Sequence, residues 1–201
     1  MADLHFDVGI IGSGSVGLSA AYKLAAAGKK VMIIEKYLWG GTCPNYGCDP
    51  KKILLTAVEA LERSKKLSKY GVLGELKIDW VALQANRKGY TDAVEPRKLK
   101  SLEKAGVEYI HGIASFTDTH TVEVRRIREG LATTISADDW IVAVGQKPKE
   151  LEFPGHEFTL TPEQFLKIDN LADEVLFIGA GYVGMEFATI ATGAGSKSHI
   201  V

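Results

Sequence analysis

The chain contains two cysteines, and they stand close together in Cys43-Pro44-Asn45-Tyr46-Gly47-Cys48. Such a pair can be half of a zinc site, a reversible disulfide, or two unrelated thiols in a core. Zinc fits poorly, because no second Cys or His pair accompanies the two and the five histidines are scattered; no metal site is expected. In a regular helix, residues five apart have Cα atoms about 8–9 Å apart, whereas a disulfide needs less than about 7 Å. Bridging therefore demands a distorted turn, and Pro44 and Gly47 suit one. A helix beginning after Cys48 would lower the pKa of its thiol. Two unrelated buried thiols remain the alternative on chemistry alone.

A second signature opens the chain. Gly12-Ser13-Gly14-Ser15-Val16-Gly17 follows the apolar run 6–11 and precedes a small-residue helical segment that Gly28 stops. Gly12 permits a tight strand-to-helix turn, Gly14 lets a pyrophosphate approach the backbone, and Gly17 lets the helix pack near the strand. The first amides of the helix then point at the phosphates. Residues 31–35 read as the next buried strand, and Glu35 at its end stands where a carboxylate meets a ribose hydroxyl. The alternative is a glycine-rich turn that binds no nucleotide. The same plan recurs with a strand at 174–178, the turn Gly179-Ala180-Gly181-Tyr182-Val183-Gly184 and a helix over 185–194. Two such folds suggest two dinucleotides, one held permanently and one exchanging. His199-Ile200-Val201 begins another strand, and half a βαβ unit is a poor folding endpoint. The 201 residues are therefore expected to be a piece of a longer protein.

The elements between these signatures must position them. Residues 50–69 have a helical stripe of Leu54, Ala57, Val58 and Leu61. Asp79 is a candidate N-cap for a helix starting near Trp80, Pro96 should kink or restart that helix, and Gly106 should end it. Strand-like runs follow at 107–110, 121–127, 132–135 and 140–144, with a hairpin turn at Arg128-Glu129-Gly130. Residues 146–155 read as a connector. The fold class is α/β: a Rossmann-like dinucleotide-binding domain over 1–150, a parallel sheet with a β-meander, followed over 151–201 by the start of a second one.

Composition narrows the setting. The net charge of −1 favours neither nucleic acid nor an anionic membrane, and no apolar run approaches the ~20 residues of a spanning helix. Two cysteines and no signal-peptide pattern point to a reduced, cytoplasmic protein. Arg125-Arg126-Arg128 and Arg97-Lys98-Lys100 read as solvated faces with no assigned partner.

The segment from Gly40-Gly41-Thr42-Cys43 through Cys48-Asp49-Pro50-Lys51-Lys52, behind the first glycine turn, resembles the group I pyridine nucleotide–disulfide oxidoreductases. The resemblance covers essentially the whole chain. It implies an FAD-binding first domain, with Gly12, Gly14, Ser15, Val16, Gly17, Glu35, Lys36, Gly41 and Thr42 around the cofactor. Ala114 would meet adenine, and Ala143-Val144-Gly145 matches the run leading out of the flavin domain, with Val144 in place of a threonine. It implies a redox disulfide in which Cys48 is the flavin-proximal sulfur and Cys43 the interchange thiol. Lys52 matches a lysine near the flavin, and Glu186 its buried ion-pair partner. Gly179, Gly181, Tyr182, Val183 and Gly184 would bind NAD or NADP. The family's remaining segments, including a dimerisation domain with a catalytic His-Glu pair, would lie beyond residue 201. The implied activity is NAD(P)H-dependent reduction or oxidation of a small-molecule or protein disulfide by a homodimer. A catalytically incomplete flavin-binding fragment and a regulatory nucleotide-binding module are the alternatives. Asp49 and Lys51 depart from the family pattern, and a carboxylate facing the Cys48 sulfur would raise its pKa while Lys51 opposed it.

Overall fold

The computed structural model describes residues 4–127 and 130–201; the expected turn at Arg128-Glu129-Gly130 falls largely outside the described residues. The chain separates into two compact units, residues 1–45 with 93–149 and residues 46–92 with 150–201.

In the first unit β1 (Leu4–Ile11), α1 (Ser15–Ala26) and β2 (Val31–Glu35) form a βαβ unit with parallel strands. All five β2 residues are buried. Strand periodicity explains why: Val31 and Ile33 join Val8, Ile10, Leu18 and Ala21 in one core, while Met32 and Ile34 join Phe6, Ile110, Val122 and Val124 in another. The chain then runs through α2 (Thr42–Tyr46), α3 (Cys48–Leu67) and α4 (Trp80–Asp92) before α5 (Val94–Lys104) returns it to the first unit. Asp79 caps α4 as expected, its Oδ1 accepting from Ala82 N at 3.0 Å. The helix restarts at Val94, which leaves Pro96 in the first turn of α5, where its missing amide is tolerated.

The sequence suggests four short strands after Gly106, but the structure has three, two of them longer than expected: β3 (Glu108–Phe116), β4 (Thr121–Arg126) and β5 (Ala132–Val142). The runs at 132–135 and 140–144 are thus one strand, extended through Asp138 and Asp139. Those carboxylates face solvent, and the ladder to β1 needs only the backbone. Both long strands serve two partners. β3 pairs in parallel with β2 through residues 108–111 and antiparallel with β4 through 112–116. β5 pairs antiparallel with β4 and parallel with β1. The five strands close into a ring in which the parallel ladders β5-β1-β2-β3 predominate.

The second unit contains α3, α4, α6 (Pro162–Phe165), β6 (Glu174–Phe177), α7 (Tyr182–Gly193) and β7 (Lys197–Ile200), with β6 and β7 parallel. Its core joins Leu54, Trp80, Phe165, Leu166, Phe187, Ile190 and Ala191. A division at residue 150 assigns 46–92 to the first domain, whereas these residues pack with 150–201. The reason is the apolar stripe of α3, which lies against α7 so closely that a Cβ on Gly193 would come 2.3 Å from Val58 Cγ1. No helix among the described residues is long and apolar enough to cross a membrane.

Candidate functional site

The first glycine turn lies at the carboxyl ends of parallel strands. Gly12 N donates to Ile34 O and Ala143 N to Ile11 O, both at 2.8 Å, so β1, β2 and the exit of β5 converge there. That edge is where sheets of this kind bind ligands. Gly12 has φ +104°, and a Cβ on it would sit 2.3 Å from Ala143 O. A Cβ on Gly17 would sit 1.9 Å from Gly12 O, so the helix starts against the turn. Gly14, by contrast, would meet nothing within 4 Å. It is the N-cap of α1 with no side-chain cap, and no acid occupies the first helical turn. Ser15 and Val16 are exposed. An open approach to uncapped amides is a cradle that fits a diphosphate.

Glu35 is 9% exposed and accepts three hydrogen bonds, which leaves one lone-pair direction of Oε1 without a bond among these. Its Oε2 accepts from Ser13 N and Ser13 Oγ, and its Oε1 from Tyr37 N, each at 2.8 Å. Ser13 Oγ in turn accepts from Gly40 N at 3.1 Å. The acid therefore locks the turn to the end of β2 and to the loop behind it. Gly41 also stands against the turn, since a Cβ there would be 2.6 Å from Gly14 Cα. Lys36, Thr42, Val144 and Gly145 are exposed, and Ala114 packs on the second core from β3. Ser13 escapes a reading by glycine spacing alone; its polar side chain between two glycines was the available signal.

The two cysteines do not share a regular helix. Cys43 lies in α2, Cys48 opens α3, and Gly47 between them has φ −127° and ψ −115°. The distorted turn expected at Gly47 is present. Cys43 is half-buried and Cys48 exposed at the helix start. Asn45 braces the preceding loop by donating to Trp39 O at 3.0 Å and Gly41 O at 2.8 Å. Asp49 accepts from Tyr90 OH at 2.5 Å.

Within the second unit, Glu186 of α7 is gripped by two lysines of α3. Its Oε1 pairs with Lys52 Nζ at 2.6 Å and its Oε2 with Lys51 Nζ. The buried partner is Lys51, 9% exposed in its side chain, whereas Lys52 is 59% exposed. The expected Lys52–Glu186 pair is therefore present, but on the exposed side, and the buried partner of Glu186 is Lys51. Helical spacing explains this, because Lys51 shares its face with Leu54, Val58 and Leu61. The hydrogen bonds from Lys51 and Lys52 hold the Glu186 carboxyl below its usual range, and the bond to Glu186 pushes Lys52 up. Lys51 Nζ also lies 5.3 Å from the Tyr182 ring centroid, a cation–π distance.

The second glycine turn repeats the first. Gly179 has φ +98°, a Cβ on Gly184 would be 2.7 Å from Gly179 O, and Gly181 is an uncapped N-cap facing open space. Tyr182 is exposed, and Val183 packs on the second unit's core. A family model described as pyridine nucleotide-disulphide oxidoreductase matches residues 6–201. The chain belongs to that family. It is 35% identical to a glutathione reductase of Nostoc sp., over 96% of this chain and 41% of the relative. It is 31% identical to a dihydrolipoyl dehydrogenase of Haemophilus influenzae, over 99% and 42%, and 30% identical to a glutathione reductase of Yarrowia lipolytica, over 96% and 43%. The chain spans about two fifths of the length of these curated relatives. The family is one of oxidoreductase enzymes.

Proposed function

We propose that this protein is an FAD-dependent NAD(P)H:disulfide oxidoreductase, cytoplasmic and homodimeric at full length. One observation carries the reading: two uncapped helix starts, each behind a parallel strand, occur in one chain with a two-cysteine segment between them. The first turn is assigned to FAD, with the amides of Ser15, Val16 and Gly17 toward the diphosphate and Glu35 and Lys36 toward the ribose. Gly41, Thr42, Ala114 and residues 143–145 complete that assignment. The second turn, through Gly179, Gly181, Tyr182, Val183 and Gly184, is assigned to NAD or NADP. Residues 151–201 are accordingly read as the start of the nicotinamide domain.

FAD, when bound, would supply the conversion of a nicotinamide hydride into an electron pair for sulfur. The chain's own groups do the rest. Cys43 attacks one sulfur of the substrate disulfide and releases the other as a thiolate, which takes up a proton. Cys48 then attacks Cys43 Sγ in the mixed disulfide, freeing the second substrate thiol and leaving the Cys43–Cys48 disulfide. Lys51 and Lys52, held by Glu186, supply positive charge that favours electron uptake.

The test uses the full-length protein with NADH, NADPH and a panel including oxidised glutathione and lipoamide. Wild type should oxidise a coenzyme with at least one disulfide, and Cys43→Ser and Cys48→Ser should each stop it. Two-electron reduction of wild type should give a long-wavelength thiolate-to-flavin band; Cys43→Ser, which has no disulfide to reduce, should show that band while its flavin is still oxidised, and Cys48→Ser should not show it in either state. Failure to oxidise either coenzyme with any disulfide would reject the activity, and a band persisting in Cys48→Ser would reject the assigned roles.

A further inference from the structure

Away from both turns, the second unit holds a buried cation that lies outside any ion pair among the described residues. Arg87 of α4 is 7% exposed. Its Nε donates to Gln84 Oε1 at 2.6 Å, and among the described residues it forms no ion pair. Because a guanidinium only donates, this bond fixes the amide orientation: Gln84 presents Oε1 to Arg87 and keeps Nε2 as a donor. Gln84 is itself 6% exposed, and its Nε2 is buried without a hydrogen-bond partner. Two buried residues with donors, the charged Arg87 and a Gln84 amide that lacks an acceptor, lie one helical turn apart. A native fold rarely leaves such groups unmatched, since each carries a desolvation cost that only an acceptor offsets.

Both residues line a cavity of about 430 Å³ between α4 and residues 167–170. Trp80 Nε1 donates to Ile168 O at 3.3 Å and ties the two walls together. Lys88, Lys167 and Asn170 also line it, as does the Asp169 carboxylate. Lys88 is paired with Asp92 at 2.5 Å and Lys167 with Glu163 at 2.7 Å, so of the three cations lining the cavity Arg87 is the one outside an ion pair. Burial pushes the guanidinium below its usual value, with the Asp92 charge opposing. We propose that this cavity binds a small oxyanion, the carboxylate or phosphate group of an organic ligand, gripped by the Arg87 guanidinium and the Gln84 amide. A planar fork beside an amide donor matches the two oxygens of such a group, and the volume accommodates a small organic acid or phosphate ester. The site is independent of the disulfide chemistry.

The full-length protein is titrated calorimetrically with inorganic phosphate and with malonate, using chloride as the control. Saturable binding of one oxyanion is expected, phosphate preference indicating a phosphate ester and malonate preference a carboxylic acid. Arg87→Met should weaken it about 10- to 100-fold. Gln84→Glu, nearly isosteric, gives Arg87 an internal carboxylate and should abolish binding while raising the melting temperature. If Arg87→Met does not fold, Gln84→Glu decides alone. The proposal is overturned if neither oxyanion saturates, or if affinity survives unchanged in Gln84→Glu.

Discussion

The two glycine turns share their backbone and differ in everything around it. Gly12 and Gly179 have φ of +104° and +98°, and each helix start packs its third glycine against the carbonyl of its first. Around the first turn the protein closes in: Gly12 is wedged on Ala143, Gly41 on Gly14, and Ser13 is fully buried between Glu35 and Gly40. Around the second, Gly179 and Gly181 would meet nothing within 4 Å, and exposed Ala180 stands where Ser13 does. A Cβ-free spacing is enough to shape the turn, and the neighbouring side chains decide how firmly it is held.

Substitutions in matched pairs can break or sharpen this contrast. Gly17→Ala should be the most damaging, because its Cβ would lie 1.9 Å from a carbonyl oxygen. A loss of about 3 kcal/mol or more, and about 6–12 °C in melting temperature, is expected, with a smaller loss for Gly184→Ala at 2.7 Å. Equal losses would remove the distinction. Gly12→Ala and Gly179→Ala both suffer left-handed strain of about 1–3 kcal/mol. Only Gly12→Ala adds a clash with Ala143 O, so chemical denaturation should separate them by at least about 1 kcal/mol. Ser13→Ala unties two buried hydrogen bonds and should cost about 1.5–3 kcal/mol. The reciprocal Ala180→Ser should stay within about 0.5 kcal/mol.

The smallest effect concerns how charge ties the second turn's helix. Glu186 is held low by Lys51 and Lys52, so its contribution is present above the ordinary carboxylate value of 4.5 and fades as pH falls through its lower folded value. Lys52 is raised, so its share is present below 10.5 and is lost as pH rises through its higher folded value. Acid unfolding followed by circular dichroism should show a shallower loss of stability below pH 4.5 in Glu186→Gln than in wild type.

Legibility followed the range of the interactions. The glycine turns, Glu35 at the end of β2, the Asp79 cap and the break at Gly47 all depend on residues within one or two turns of chain, and their spacing showed them. The continuity of β5 did not show, because exposed Asp138 and Asp139 look like a loop when their ladder partners on β1 are out of view. Lys51 is intermediate: its face on α3 was readable from the positions of Leu54 and Val58, but the attraction of Lys52 in the motif obscured it.

By itself, the order of residues determined the strand–turn–helix starts, the helical stripes and the spacing of the two thiols, since local sterics and periodicity act along the chain. Only the tertiary structure decided that α3 joins the second unit, that Lys51 is the lysine buried against Glu186, and that Arg87 and Gln84 share an unsatisfied cavity. Those outcomes depend on which apolar faces meet and which polar groups they exclude from water, and contacts between residues far apart in the chain set both.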